Sequence, residues 1–130
     1  MTDEAVIALG GNVGDVRTTF QRAIPEICRR AQAMLVARSA DYTTPPWGDT
    51  DQPSFINACI IIATSLDPQI LLTRLHEVER SFGRDRAKET RWGPRTLDLD
   101  LIAYDDARID TPDLILPHPR LFERAFVLVP

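Results

Sequence analysis

Only two cysteines, Cys28 and Cys59, occur in the 130 residues. They lie far apart and without a Cys-x-x-Cys spacing, which excludes a disulfide scaffold or a cysteine zinc site and leaves both expected as buried free thiols. Long apolar runs are absent too: none approaches the ~20 residues that a membrane span requires. The start, Met1-Thr2-Asp3-Glu4, is acidic where a secretory signal would be basic, so a cytoplasmic protein without a membrane partner is expected. Internal repeats, low-complexity stretches and linkers are missing, and the length suits one domain over residues 1–130. A sequence that is 44% hydrophobic and 26% charged has the make-up of a globular chain able to bury a core.

Positive charge is scarce over most of the chain. The formal net charge is −4 and the sequence pI about 5.1, whereas a nucleic-acid binder is usually basic over a whole face. The scarcity has one exception. From Arg80 to Arg95 stand Arg80, Arg84, Arg86, Lys88, Arg91 and Arg95 against Asp85 and Glu89, so this stretch carries +4 and the remainder −8. It reads either as a local anion site or as a solvated charged loop.

The pattern along the chain gives the elements. Ala5 to Leu9 is a short apolar run ended by Gly10-Gly11-Asn12, the mark of a buried strand stopped by a turn. Asp15 is placed to cap a helix carrying Val16, Phe20, Ala23, Ile24 and Ile27, with Pro25 predicting a kink or an early end. Met34 to Tyr42 reads as a second strand, Thr43 to Pro53 as a long proline- and glycine-rich loop, and Phe55 to Ser65 as a long strand. Asp67-Pro68 opens a helix whose stripe of Leu71, Leu75, Val78 and Phe82 is closed by Gly83. Thr96 to Tyr104 sets Leu97, Leu99 and Leu101 against Asp98 and Asp100, the period of a half-buried strand. The order β-α-β-β-α-β predicts an α+β, ferredoxin-like split sandwich: an antiparallel sheet with both helices on one face and the other face open to ligands. Asp113 to Pro130 adds a loop, a Pro-His-Pro turn and a final apolar segment.

Asp98 and Asp100 are the first candidates for chemistry, because residues two apart on a strand share a face with Cα atoms roughly 6.6 Å apart. Paired carboxylates can hold hard cations such as Mg²⁺, completed by water and substrate phosphates, and two such ions can clamp both oxygens of a phosphoryl displacement. Taken alone, an Asp-x-Asp is more often an acid-decorated strand face. The adjoining arginines favour the functional reading, since guanidinium forks suit the phosphate oxygens that metal leaves unpaired. Trp92-Gly93-Pro94 supplies a flat ring beside a rigid turn; it could cover a substrate or pack as an ordinary core tryptophan. With few apolar anchors between Arg84 and Arg91, the loop is expected to move until nucleotide arrives, then close and exclude water.

Arg91-Trp92-Gly93-Pro94-Arg95-Thr96-Leu97-Asp98-Leu99-Asp100 resembles the signature of the hydroxymethyldihydropterin pyrophosphokinases of folate biosynthesis. Thr44-Pro45-Pro46-Trp47-Gly48, Asp51-Gln52-Pro53 and Phe55-x-Asn57 resemble that family's pterin loop and strand, in the same order. Gly10-Gly11-Asn12, Gly83-Arg84 and Pro117-His118-Pro119-Arg120 also fit, so the resemblance runs over essentially the whole chain.

The resemblance implies transfer of pyrophosphate from ATP to the hydroxymethyl group of a reduced pterin, with release of AMP and two Mg²⁺ ions on Asp98 and Asp100. It implies pterin contacts from Thr44, Pro45, Trp47, Phe55, Asn57 and Phe126. Phe55 and Asn57 share a strand face, so a stacking ring sits beside an amide able to bond the pterin edge. ATP contacts fall to His76, Glu79, Arg84, Arg86, Arg91, Trp92, Arg95, His118 and Arg124, with Arg84 and Arg95 catalytic beside the aspartates. No residue stands out as a general base, which alignment and charge stabilisation can make unnecessary. The chain departs from the pattern at His76, where the family often has glutamine, and in one extra residue between Arg86 and Arg91 relative to some members. It also ends at Pro130, where members commonly continue through another helix-bearing segment. A monomer is expected, and a non-catalytic nucleotide or pterin sensor of the same fold is the competing reading.

Overall fold

The computed structural model describes residues 2–44, 54–83, 96–105 and 107–117. Among the described residues nine elements follow in the order β1 (Asp3–Gly11), α1 (Val16–Ala31), β2 (Met34–Arg38), β3 (Tyr42–Thr44), β4 (Phe55–Thr64), α2 (Pro68–Ser81), β5 (Asp98–Tyr104), β6 (Ile109–Asp110) and β7 (Ile115–Leu116). The main sheet has the order β2-β4-β1-β5, with β3 also paired to β4, and every pairing is antiparallel. The α+β, ferredoxin-like arrangement expected from the pattern is the one observed.

The core explains the layering. Ala5, Ile7 and Leu9 of β1, Ala58, Ile60 and Ile62 of β4, and Leu99 and Leu101 of β5 form one buried cluster with Phe20, Ile24 and Ile27 of α1 and Leu71, Leu75 and Val78 of α2. Burying a side chain of this size is worth about 1.5–3 kcal/mol, so both amphipathic helices are held to the same sheet face. Asp15 caps α1 by accepting from the Thr18 N–H at 3.2 Å and its hydroxyl at 2.8 Å. Asp67 caps α2 by accepting from the Gln69 and Ile70 N–H groups, both at 3.0 Å.

Several expectations need correction. Pro25 neither ends α1 nor enters the core: the helix continues to Ala31 and Pro25 lies on its exposed side, where water can satisfy the carbonyl that loses its partner. The predicted strand over Met34–Tyr42 stops as β2 at Arg38, and a separate β3 runs from Tyr42 into Thr43 and Thr44, which were expected to open the long loop. Ser39 bridges the gap, its N–H donating to the Cys59 carbonyl at 2.9 Å while its Oγ accepts from the Cys59 N–H at 2.8 Å. Gly10 and Gly11 are not a turn but the last two residues of β1. Finally, β6 and β7 form a small hairpin that the sequence reading missed, because strands of two residues are too short to show a period. Cys28, half-buried, and Cys59, buried, are not joined in a disulfide.

Candidate active site

Turning the helices to one side leaves a second face of the sheet, and strand register decides what gathers there. Gly10 at the centre of the sheet pairs with Asn57 on one side and with Asp98 on the other. One pleat along, Ala8 pairs with Cys59 and with Asp100. Adjacent strands are spaced roughly 4.8 Å apart, so Asn57 and Asp98 face each other across β1 at roughly 10 Å between Cα atoms. Asp98 and Asp100 are half-buried, while the intervening Leu99 is 1% exposed in the core. This is the split between carboxylate and leucine faces that the alternation predicted.

On the opposite side of β1, Asn57 is held by its neighbours. Its Nδ2 donates to Thr44 Oγ1 at 2.7 Å, and Thr44 is itself opposite Phe55 in the β3–β4 pairing. The structure therefore gathers Thr44, Phe55, Asn57, Asp98 and Asp100 of the sequence-predicted residues around one sheet face. Phe55 and Asn57 are half-buried, which leaves part of each side chain available to a ligand.

His76 and Glu79 come from α2, in the layer behind the sheet. Glu79 is 1% exposed, and its Oε2 accepts from the Leu99 N–H at 2.7 Å. The carboxylate thus fastens β5 at the residue between the two aspartates. A buried carboxylate is costly unless hydrogen-bonded, and this bond answers part of that demand. The sequence carried a signal for the burial: Glu79 follows Leu75 by four positions and Val78 by one, inside the apolar stripe. His76 is half-buried one turn earlier.

The donor set fits Mg²⁺ in its usual mode. Among the described residues no group of three or more His, Cys, Asp or Glu side chains forms a metal cage. Magnesium is commonly held by one or two carboxylates with water and substrate phosphates completing the shell, and two aspartates on one pleated face supply that minimum. Pro45, Trp47, Arg84, Arg86, Arg91, Trp92, Arg95, His118, Arg124 and Phe126 lie outside the described residues.

Comparison with known proteins gives a consistent picture. Residues 6–130 match the family model described as 7,8-dihydro-6-hydroxymethylpterin-pyrophosphokinase. The 2-amino-4-hydroxy-6-hydroxymethyldihydropteridine pyrophosphokinase of Methylorubrum extorquens is 47% identical over 126 residues, covering 97% of this chain and 78% of that protein. The protein of the same name from Bacillus subtilis is 43% identical over 130 residues, covering 100% of this chain and 77% of its own length. A mitochondrial folate synthesis bifunctional protein of Arabidopsis thaliana is 43% identical over 127 residues, 98% of this chain but 22% of that longer protein.

Proposed function

The chain belongs to the 7,8-dihydro-6-hydroxymethylpterin-pyrophosphokinase family, and from that premise we propose which of its residues carry the family's reaction. The protein transfers pyrophosphate from ATP to the hydroxymethyl group of 6-hydroxymethyl-7,8-dihydropterin in folate biosynthesis, releasing AMP. The observation that carries the residue assignment is the row Asn57–Gly10–Asp98, with Asp100 one pleat away on the same face.

Phe55 stacks on the pterin ring and the Asn57 amide bonds its edge, helped by Thr44 and, from outside the described residues, by Pro45, Trp47 and Phe126. Asp98 and Asp100 would hold two Mg²⁺ ions, with substrate phosphates and water completing their shells. When bound, these ions neutralise phosphate charge and lower the pKa of a coordinated hydroxyl. The pterin hydroxymethyl oxygen attacks the β-phosphorus, the bond from that phosphorus to the α,β-bridging oxygen breaks, and AMP leaves as the hydroxyl proton is lost to solvent. Arg84 and Arg95 stabilise the transferring group, and Arg86, Arg91, Trp92, His118 and Arg124 hold the nucleotide. On α2, His76 is assigned to ATP by the family resemblance, and Glu79 acts on the nucleotide end through Leu99. The protein's part is alignment and charge placement, the main requirement of phosphoryl-type transfer.

No helix among the described residues is long and apolar enough to cross a membrane; we propose a single-domain, cytoplasmic monomer. The direct test is incubation with ATP, Mg²⁺ and hydroxymethyldihydropterin. AMP and pterin diphosphate are expected in equal amounts and only when both substrates are present. Tight ATP binding without AMP would contradict the assignment.

A further inference from the structure

Gly10 is a glycine in an unexpected place. It is the penultimate residue of β1, still laddered on both sides, and is not among the described glycines with positive φ, which are Gly14 and Gly83. Backbone conformation therefore gives no reason for it, and a glycine inside a strand weakens the strand unless another group needs to come close. The close group is identifiable. A Cβ on Gly10 would stand 3.2 Å from Asn57 Oδ1 and 3.9 Å from Asp98 Cβ, whereas one on Gly14 or Gly83 would meet nothing within 4 Å. The Asn57 amide, anchored through Nδ2 to Thr44 Oγ1 at 2.7 Å, lays its oxygen tightly against the volume that a side chain at position 10 would fill. Along this face of β1 the side chains shrink from Val6 through Ala8 to nothing at Gly10, so the floor is lowest between the amide and the carboxylate.

We propose that Gly10 is a specificity-determining residue. Its missing side chain gives the Asn57 amide its resting place and leaves a flat floor over which a planar pterin extends its hydroxymethyl arm from Asn57 toward Asp98. The proposal rests on the reading of Asn57 as a pterin contact. A methyl group at position 10 displaces the Asn57 oxygen, either tilting the amide or raising the heterocycle. Nucleotide binding needs neither, so the two ligands respond differently.

A double-mutant cycle over Gly10→Ala and Asn57→Ala tests this by calorimetry. The probe is 6-hydroxymethylpterin, titrated with Mg²⁺ and a non-hydrolysable ATP analogue present; the analogue is also titrated alone. Gly10→Ala is expected to weaken pterin binding roughly tenfold, within the range of coupling between touching residues, and to leave the analogue's affinity within about twofold. In the Asn57→Ala background the same substitution should change pterin affinity less than about twofold, because the contact is gone. Unchanged pterin affinity in Gly10→Ala would overturn the proposal. So would equal weakening of both ligands, or an equal pterin loss in both backgrounds, either of which indicates general distortion. If Gly10→Ala alone fails to fold, recovery of folding in the double variant supports the proposal and continued failure overturns it. Wild-type pterin affinity in Asn57→Ala would remove the underlying reading of Asn57, and the proposal with it, a failure distinct from the others.

Discussion

Asp98 occupies the ligand face while its neighbours Leu97 and Leu99 are buried in the core, so its carboxylate can be removed without opening a cavity. Asp98→Ala is expected to lower kcat on the order of 10³-fold, the scale of losing a main electrostatic stabiliser, with little change in Tm. The check is the rate of AMP formation at saturating substrates beside a thermal melt, and loss of any single loop arginine is expected to do less. Near-normal turnover would contradict the role given to Asp98. Individual site residues were legible in the sequence to unequal degrees. Asp98 and Asp100 were candidates through strand alternation, whereas Phe55 and Asn57 entered only through the resemblance to the family's pterin strand, their spacing of two then placing them on one face. Gly10 did not, because a glycine pair after an apolar run looks the same whether it turns the chain or completes a strand. Only the register, with Asn57 and Asp98 on its flanks, separates the two cases.

Between elements, the contact of most consequence is the one from α2 to β5. Glu79→Leu leaves the Leu99 N–H without that acceptor inside the core, and burying an unpaired polar group costs about 1–3 kcal/mol. Glu79→Gln keeps an acceptor and is expected to lose much less, so urea melts of the two variants should separate; equal midpoints would show that the hydrogen bond carries no stability. A second contact joins the helices. Glu26 on α1 binds Arg29 and Arg30, and Arg30 reaches Glu77 on α2 at 3.3 Å. The hydrogen bond from Arg29, followed by that from Arg30, draws the Glu26 carboxyl down from the ordinary 4.5 to about 2. Because the folded value is the lower one, the stabilising contribution is complete above the ordinary value and fades as pH falls toward about 2. The side chain keeps part of its surface in solvent, which screens the pair and makes the effect small. The Tm gap between wild type and Glu26→Gln is expected to be present near neutral pH and to close in acid; a gap that widens in acid would contradict the sign.

Element boundaries were less legible than element types. Helices α1 and α2 were readable from their caps and stripes, but a proline inside α1 argued locally for an end that packing overrode, since Phe20, Ile24 and Ile27 bury on one side while Pro25 faces water. The division between β2 and β3 depends on Ser39 substituting for ladder bonds with Cys59, a tertiary contact that no local pattern encodes. Glu79, expected from the resemblance as an ATP contact, is buried beside Leu75 and Val78, and its partner on β5 became visible only once α2 was packed.

At the scale of the whole molecule, function follows from a two-faced sheet. One face is covered by two helices and carries the apolar core; the other presents the amide of β4 and the carboxylates of β5 on either side of a central strand whose side chains dwindle to none. In the proposed mechanism the core beneath fixes the distance between the pterin and metal ends, which is how alignment enters the rate. The central claim is that Asp98 and Asp100 hold the metal pair at one end of that platform. Mn²⁺ in place of Mg²⁺ reports this through the electron paramagnetic resonance of free ion, titrated with a non-hydrolysable ATP analogue bound. Wild type is predicted to take up two ions per chain, as a two-metal clamp requires, and the Asp98→Asn/Asp100→Asn double variant to retain at most the one that the nucleotide holds by itself. Full uptake of both ions by the double variant would contradict the account.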